Sequence, residues 1–385
     1  MEQEEREAGR MKTGGKLLLI RPKEPGGREN SRLLKVLEEG LRGVCIQEVT
    51  EISQLEAMVD QDGHLAPGGQ GERHLVLFAL DLGEHGINFE YTRLLGWLRS
   101  RPKSLDGWTG GVVADADSSL YTKSAARELV FTANSAGCAF VGRPLVEGTK
   151  TLSNFTIVAS NLGTNLYGAY VESVKMLAEQ LLEQGEKKAD GGRELLVLHA
   201  SSHKSSNTYA VWQGVKQYLP DFSITEIGLR NGTLADCSGC PYKICLHFGE
   251  RGSCFYGGVM VENVYPAVKK ADGILLLAPN YNDALSANLT AFINRLTALF
   301  RTTRFYDKKL FGIVVSGYSG SDLIAEQMIA ALNMNKTFYL PGHFAMLETA
   351  NHPGEAMRLP GIEERMRQYA ENIRKNMGDT KLYRP

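Results

Sequence analysis

Short apolar runs alternate with amphipathic stretches along the chain, and the whole alternation occurs twice. Lys16-Leu-Leu-Leu-Ile20 has the length and composition of a buried strand; after a loop, Asn30-Ser31 offers a helix cap and Leu33, Leu34, Leu37 and Leu41 share one helical face. Glu194-Leu-Leu-Val-Leu198 begins the same series again, with Asn207-Thr208 ahead of a stripe of Val211, Trp212, Val215, Tyr218 and Leu219. Matched pairs follow: strands at 75–79 and 273–278, strands with loops at 110–115 and 311–316, helical segments led by Tyr121 and Leu323, and the runs 142–149 and 342–349. Each half is expected to close on a long helix, around 154–184 and 361–377. Short apolar strands between amphipathic helices specify βαβ units, whose parallel sheet is covered on both faces. The fold expected is α/β, with two doubly wound domains in tandem.

The polar, Gly-rich stretch Gly185-Glu-Lys-Lys-Ala-Asp-Gly-Gly-Arg193 reads as the linker; the expected division is a disordered tail over 1–15, Glu-rich over 1–6, and domains over 16–186 and 193–380. A length of 385 residues agrees with two cores. Lys and Arg total 43 against 44 Asp and Glu, a net charge of −1, which argues against a nucleic-acid binder or a polybasic membrane binder. No apolar stretch approaches the ~20 residues of a spanning helix. The opening Met1-Glu-Gln-Glu-Glu-Arg6 lacks the apolar centre of a signal peptide, so the expectation is a cytoplasmic protein.

Ligands of an open doubly wound sheet bind outside the carboxyl ends of its strands. In the second half that edge carries three loops. Ala200-Ser-Ser-His-Lys-Ser-Ser-Asn-Thr208 places hydroxyls at a helix start, either an anion site or an ordinary capped loop. It has neither the G-x-x-x-x-G-K-[ST] nor the G-x-G-x-x-G pattern, so a phosphate monoester such as that of FMN fits better than a nucleoside triphosphate or a Rossmann dinucleotide. Pro279-Asn-Tyr-Asn-Asp-Ala-Leu-Ser-Ala287 offers Tyr281 as a flat surface and Asn280 and Asn282 as polar partners for a heterocycle; its other reading is a plain turn. Ser316-Gly-Tyr-Ser-Gly-Ser-Asp322 has two glycines that permit close backbone approach, or simply a flexible connection. All three fall at one edge of one expected sheet.

Taken in order, Ser-Ser-His-Lys-Ser-Ser-Asn-Thr, a Cys-x-x-Cys segment, Ala-Asp-Gly-Ile-Leu-Leu-Leu-Ala-Pro-Asn-Tyr and Leu-Thr-Ala-Phe-Ile-Asn-Arg resemble the flavodoxin-like NAD(P)H-dependent FMN reductase superfamily, in particular its multimeric flavodoxin and iron–sulfur flavoprotein branch. The resemblance covers most of 194–350. It implies a five-stranded parallel sheet, bound FMN, and hydride transfer from NAD(P)H to the flavin with onward reduction of a small-molecule or protein acceptor. It assigns the phosphate to Ser201, His203, Ser205, Ser206, Asn207 and Thr208. The ring falls between Pro279, Asn280, Tyr281, Asn282 and Ser286 on one side and Ser316, Gly317, Tyr318 and Gly320 on the other. No catalytic acid or base is implied. Departures from the family pattern are His203 for a common Arg, Ser205-Ser206 for an Asn-Gly-like pair, and Asn294-Arg295 for Asp-Arg. The first half resembles the same fold with a degraded site, since Arg21-Pro-Lys-Glu-Pro-Gly-Gly-Arg-Glu-Asn30 carries prolines in place of the serines. Because such reductases usually dimerise, the expectation is an intramolecular pseudo-dimer, with a homodimer also compatible. The alternatives are a flavodoxin-like electron carrier serving a protein partner and a flavin-free scaffold.

Four of the six cysteines fall in one window, Cys237, Cys240, Cys245 and Cys254, while Cys45 and Cys138 stand alone. Three readings stay open for the group: ligands of a 4Fe-4S cluster, as in the iron–sulfur flavoproteins resembled; structural zinc; or free thiols, packing residues or a redox pair. Asp115 and Asp117 follow a strand of the first half, either as a cation site or as a solvated turn. The eight histidines show no His-x-x-x-His spacing, and no Gly-x-Ser-x-Gly elbow occurs.

Overall fold

The computed structural model describes residues 16–24, 31–65, 74–183, 192–200, 206–229, 232 and 234–378. The chain divides into two compact units, Met1–Glu186 and Lys187–Pro385. In the first, β1 (Leu17–Ile20), α1 (Arg32–Gly40), β2 (Ile46–Val49), α2 (Ile52–Ala57), β3 (His74–Asp81) and α3 (Phe89–Arg99) come in turn. They are followed by β4 (Trp108–Asp115), α4 (Thr122–Ser135), β5 (Ala139–Gly148), α5 (Thr156–Leu162) and α6 (Leu166–Glu183). All its strand pairs are parallel, in the order β2-β1-β3-β4-β5.

The second unit contains β6 (Glu194–His199), α7 (Asn207–Lys216), β7 (Ser223–Gly228), α8 (Tyr242–Glu250), α9 (Tyr265–Lys270) and β8 (Gly273–Pro279). It continues with α10 (Ala287–Phe300), β9 (Lys309–Ser316), α11 (Ser321–Met328), β10 (Ala345–Thr349) and α12 (Ile362–Gly378). The order β7-β6-β8-β9-β10 is again all parallel. Both sheets thus follow the flavodoxin-like order 2-1-3-4-5.

The apolar stripes face these sheets as their spacing requires. Leu33, Val36 and Leu37 of α1 pack with Leu17, Leu19, Leu75 and Leu77, and Tyr170, Val174 and Leu177 of α6 join them. Trp212 and Val215 of α7 do the same over Val197, Leu275 and Ile313, with Tyr369 and Ile373 of α12. Each fully buried side chain of this size contributes roughly 1.5–3 kcal/mol of transfer free energy. The hydroxyl of Tyr369 accepts from the Gly312 amide at 3.0 Å and lies 2.7 Å from Gly312 O, which fixes the closing helix against β9.

The long helix expected over 154–184 is broken. Gly163 takes φ +64° and ends α5. Asn165 then starts α6 by accepting from the Gly168 amide at 2.7 Å, a local cap that outcompetes a continuous helix. Among the described residues no helix is long and apolar enough to cross a membrane.

Candidate functional site

The connections of the second sheet part between β6 and β8, and that gap at the carboxyl edge is where this topology receives a ligand. Of the expected phosphate contacts, Ser201, His203 and Ser205 lie outside the described residues. Ser206 is extended (φ −84°, ψ 112°) and its hydroxyl accepts from the Tyr209 amide at 3.2 Å, so the cap of α7 falls one residue before the Asn207 expected. The first N–H groups of a helix have no partner inside it and carry its positive dipole end, so the start of α7 has the chemistry an anion needs. Thr208 is buried. The Asn207 side chain is turned elsewhere: Nδ2 donates to Ala350 O at 3.2 Å and to His352 O at 2.9 Å.

Beyond Pro279, Asn280 ties the second loop to the third. Its Nδ2 donates to Ser319 O at 3.0 Å and to Asp283 Oδ1 at 3.1 Å, and its Oδ1 accepts from the Asp283 amide at 2.8 Å. Asn282 and Asp283 hold φ of 54° and 58°, left-handed values that Asn and Asp tolerate better than most residues. The turn leaves Tyr281 53% exposed. Ser286 is buried and caps α10, accepting from the Leu289 amide at 3.4 Å.

In the third loop Ser316 is fully buried and accepts from the Ser321 hydroxyl at 2.8 Å. Gly320 has φ +84°, and a Cβ there would come within 2.5 Å of Asp283 Oδ1 and 2.8 Å of Asn280 Nδ2, so only glycine lets the two loops touch. Gly317 backs onto Asn351, whose Nδ2 donates to the Tyr318 hydroxyl at 2.8 Å. Glu355 holds that last loop by accepting from the amides of Asn351 and His352, both at 2.7 Å.

Three asparagines, Asn207, Asn280 and Asn351, therefore stitch the start of α7 and the loops after β8, β9 and β10 into one rim. Ser206, Ser286 and Ser316 serve as fastenings of that rim, whereas Tyr281 and the 80% exposed Tyr318 stand out from it. Asn351, Asp283 and Glu355 are not singled out by the sequence; the partner that gives Asn351 its role, Tyr318, lies in another loop of the rim. The fit to FMN can be judged from the donor set. Two exposed phenol rings and amide-lined turns suit a flat heterocycle with polar edges, and the capped helix start suits its phosphate.

The matching rim of the first unit is held by charge. Arg32, the first residue of α1, donates through Nε to Asp115 Oδ2 and through a terminal nitrogen to Asp115 Oδ1, both at 2.9 Å. The same guanidinium reaches Lys150 O at 3.2 Å and Ala116 O and Gly148 O at 3.3 Å. Asp115 is thus neither a cation ligand nor part of a solvated turn. Burial pushes its carboxyl up from the ordinary value, against the pull of Arg32, and burial likewise raises the neighbouring Tyr170 phenol. Between the loops after β1 and β3, a cavity of about 140 Å³ remains, lined by Arg21, Lys23, Ser31 and Asn88 among others.

Cys237, Cys240, Cys245 and Cys254 are all free thiols, Cys237 exposed and the other three half-buried. Among the described residues no three Cys, His, Asp or Glu side chains gather closely enough to hold a metal ion. Cys245 lies on α8, Cys254 follows that helix, and Cys237 and Cys240 precede it, so the segment as folded does not fit a four-ligand cluster or a zinc site.

Residues 193–352 match the family model described as NADPH-dependent FMN reductase. No curated protein matches the chain. Among solved structures it is similar to an NAD(P)H:quinone oxidoreductase from Methanothermobacter marburgensis, at 16% identity over 47% of this chain and 97% of that one, with a TM-score of 0.37. An azoreductase from Bacillus anthracis gives 14% identity over 48% and 98%, with a TM-score of 0.32. The apo form of an NADH:FMN oxidoreductase gives 14% over 48% and 89%, with a TM-score of 0.33. Over residues 193–352 the C-terminal unit is similar to the NADPH-dependent FMN reductases, a family of oxidoreductases.

Proposed function

We propose that the C-terminal unit binds one FMN at the carboxyl edge of its sheet and moves electrons from NADPH or NADH to a small-molecule or protein acceptor. The observation that carries this reading is the family match, which spans β6 through β10 and therefore every loop of the stitched rim. FMN, when bound, supplies a two-electron redox centre. The chain's part is to bind and orient. The start of α7, with the hydroxyl-rich 201–205, holds the phosphate. The clasp from Asn280 to Ser319 fixes the spacing of the two ring loops, and Tyr281 and Tyr318 keep water from the ring. No side-chain proton transfer is needed. The first unit is read as a degenerate copy of a tandem duplication that takes no FMN, because the Arg32–Asp115 pair stands at the helix start and strand end where the second unit carries Asn207 and Ser316.

The test is a fluorescence titration of the full chain with FMN, followed by anaerobic addition of NADPH or NADH. The expected result is quenching that saturates at one FMN per chain and bleaching of the visible flavin band by a nicotinamide. Unquenched FMN overturns the assignment. Two FMN per chain overturn the degenerate reading of the first unit. Binding without bleaching makes the protein an electron carrier for a protein partner.

A further inference from the structure

The carboxyl edge of the first sheet carries an opening that the flavin reading does not use. A cavity of about 490 Å³ lies where the loops after β4 and β5 meet the start of α4, within the roughly 300–1,000 Å³ of pockets that take small molecules. Leu120 and Tyr121 line it and are both exposed, so its lining includes apolar surface left to solvent. Tyr121 holds φ 80° and ψ −36°, a backbone conformation that is strained for any residue with a side chain. Its ring lies against Gly86, where a Cβ would come within 2.3 Å of the Tyr121 ring. The ring is thus kept at the cavity against the preference of its own backbone, a strain that Tyr121→Gly would relieve.

The polar part of the lining is already oriented. One carboxylate oxygen of Glu147, near the end of β5, accepts from the buried Thr122 hydroxyl at 2.9 Å, and the other meets Lys123 Nζ at 3.3 Å. Asn154 Nδ2 donates to the Glu147 carbonyl at 2.8 Å, and Asn154 Oδ1 accepts from the Thr149 hydroxyl at 2.8 Å. Two planar groups, a carboxylate and an amide, are fixed in this way with capacity to spare: each carboxylate oxygen can accept again, and the amide nitrogen keeps a second hydrogen. Lys123 and Glu147 are the charged groups of the lining, and they offset each other. The cavity therefore favours neither an anion nor a cation.

We propose that this cavity binds a neutral monosaccharide. Each hydroxyl of a sugar both donates and accepts, which matches a lining that offers acceptors on Glu147 and a donor on Asn154. Adjacent hydroxyls have the spacing that a planar carboxylate or amide can meet with two bonds at once. The C–H face of the sugar ring is apolar and covers the exposed Tyr121 ring, whose flat surface suits it. A simple anion or cation would leave that ring uncovered and would meet a like charge on Glu147 or Lys123. The strained backbone at Tyr121 then has a purpose, since the ring it holds out supplies the apolar half of the site.

The test is saturation-transfer NMR on the full chain with glucose, galactose, mannose and ribose added singly, and inorganic phosphate followed by the width of its phosphorus line. The expected result is transfer to the ring protons of at least one sugar and no broadening of phosphate. Tyr121→Gly is expected to weaken that sugar at least tenfold while the urea midpoint of the first unit holds or rises, because glycine takes a positive φ without strain. Asn154→Ala is expected to weaken it several-fold. A tyrosine kept only for packing would instead lower the midpoint on Tyr121→Gly and leave transfer as in wild type, which overturns the proposal. Absence of transfer to all four sugars on wild-type protein overturns it too, as does broadening of phosphate without transfer to any sugar. All of these are read without flavin or nicotinamide, so they stand apart from the fate of the FMN reading.

Discussion

The two units share a strand order and differ in how each finishes the carboxyl edge of its sheet. The residue after the helix cap is Arg32 in one and Asn207 in the other; the last residue of the fourth strand is Asp115 in one and Ser316 in the other. Both Arg32 and Asn207 reach carbonyls of the loop after the fifth strand, so the stitch is common to the two units. In the first unit, though, the stitch carries an ion pair, Arg32 with Asp115. In the second the stitching side chain is an uncharged asparagine, with two tyrosines left exposed around it. Exposed aromatic rings have apolar surface that a bound ring system can cover.

The largest effect that separates the two rims should come from Asp115→Ala. It leaves Arg32 without its carboxylate, and the first unit should lose about 3 kcal/mol, the lower end for a broken buried pair because Arg32 keeps some contact with water. Ser316→Ala at the matching place removes one hydroxyl-to-hydroxyl bond and should cost about 1 kcal/mol. Urea unfolding, followed separately for each unit, measures both. Equal losses would mean that the charged clasp is no more than a variant of the neutral one.

The sign of the pH dependence sharpens the same contrast. Since burial raises the Asp115 carboxyl above its ordinary value of 3.8, the folded unit binds a proton there more tightly than the unfolded chain does. Its contribution is fully present below that ordinary value and is lost as the pH rises through the folded one. Asp115→Asn removes this titration. The stability of wild type minus that of Asp115→Asn should therefore fall as pH is raised from the ordinary Asp value upward, and a rise would show that Arg32 dominates over burial.

Much of this frame was legible in the sequence, for a physical reason. Central strands such as Gly273–Pro279 and Lys309–Ser316 are buried on both faces and must be apolar throughout, so they announce themselves. The edge strands Ile46–Val49 and Ser223–Gly228 are only partly buried, and their Ile-Gln-Glu-Val and Ser-Ile-Thr-Glu-Ile-Gly carry no run that periodicity can find. The loops of the site could be placed because they follow legible strands. What each side chain does there could not, because it depends on partners distant in sequence: Asn207 reaches residue 352, Asn280 reaches 319, and Arg32 reaches 115.

Glycine joints give a smaller contrast. In the second unit Gly320 lets the third loop press on Asn280 and Asp283; in the first, Gly86 (φ +74°) lies under the Tyr121 ring, where a Cβ would come within 2.3 Å. Gly320→Ala adds left-handed strain of about 1–2 kcal/mol and pushes the ring loops apart, so FMN affinity should drop roughly tenfold. Gly86→Ala should displace Tyr121 and cost similar stability with no change in FMN affinity. Isothermal titration of both variants decides it; loss of FMN binding in Gly86→Ala would mean that the first rim also serves the flavin.

The smallest expected effect probes the exposed ring itself. Tyr318 is 80% exposed and its hydroxyl accepts from Asn351 at 2.8 Å, in a place where water can replace the lost partner. Tyr318→Phe should therefore change stability by less than about 0.5 kcal/mol and leave FMN affinity as it was, because the ring stays. Tyr318→Ala removes the ring as well. If that ring borders the flavin, affinity should fall by about 0.5–1.5 kcal/mol, the range for an aromatic pair beyond simple burial, while stability stays near that of Tyr318→Phe. The divergence of the two variants in binding, with agreement in unfolding, is what an exposed ligand-facing ring produces and a structural one does not. Equal affinities for Phe and Ala at 318 would remove Tyr318 from the site and leave Tyr281 as the ring's aromatic neighbour.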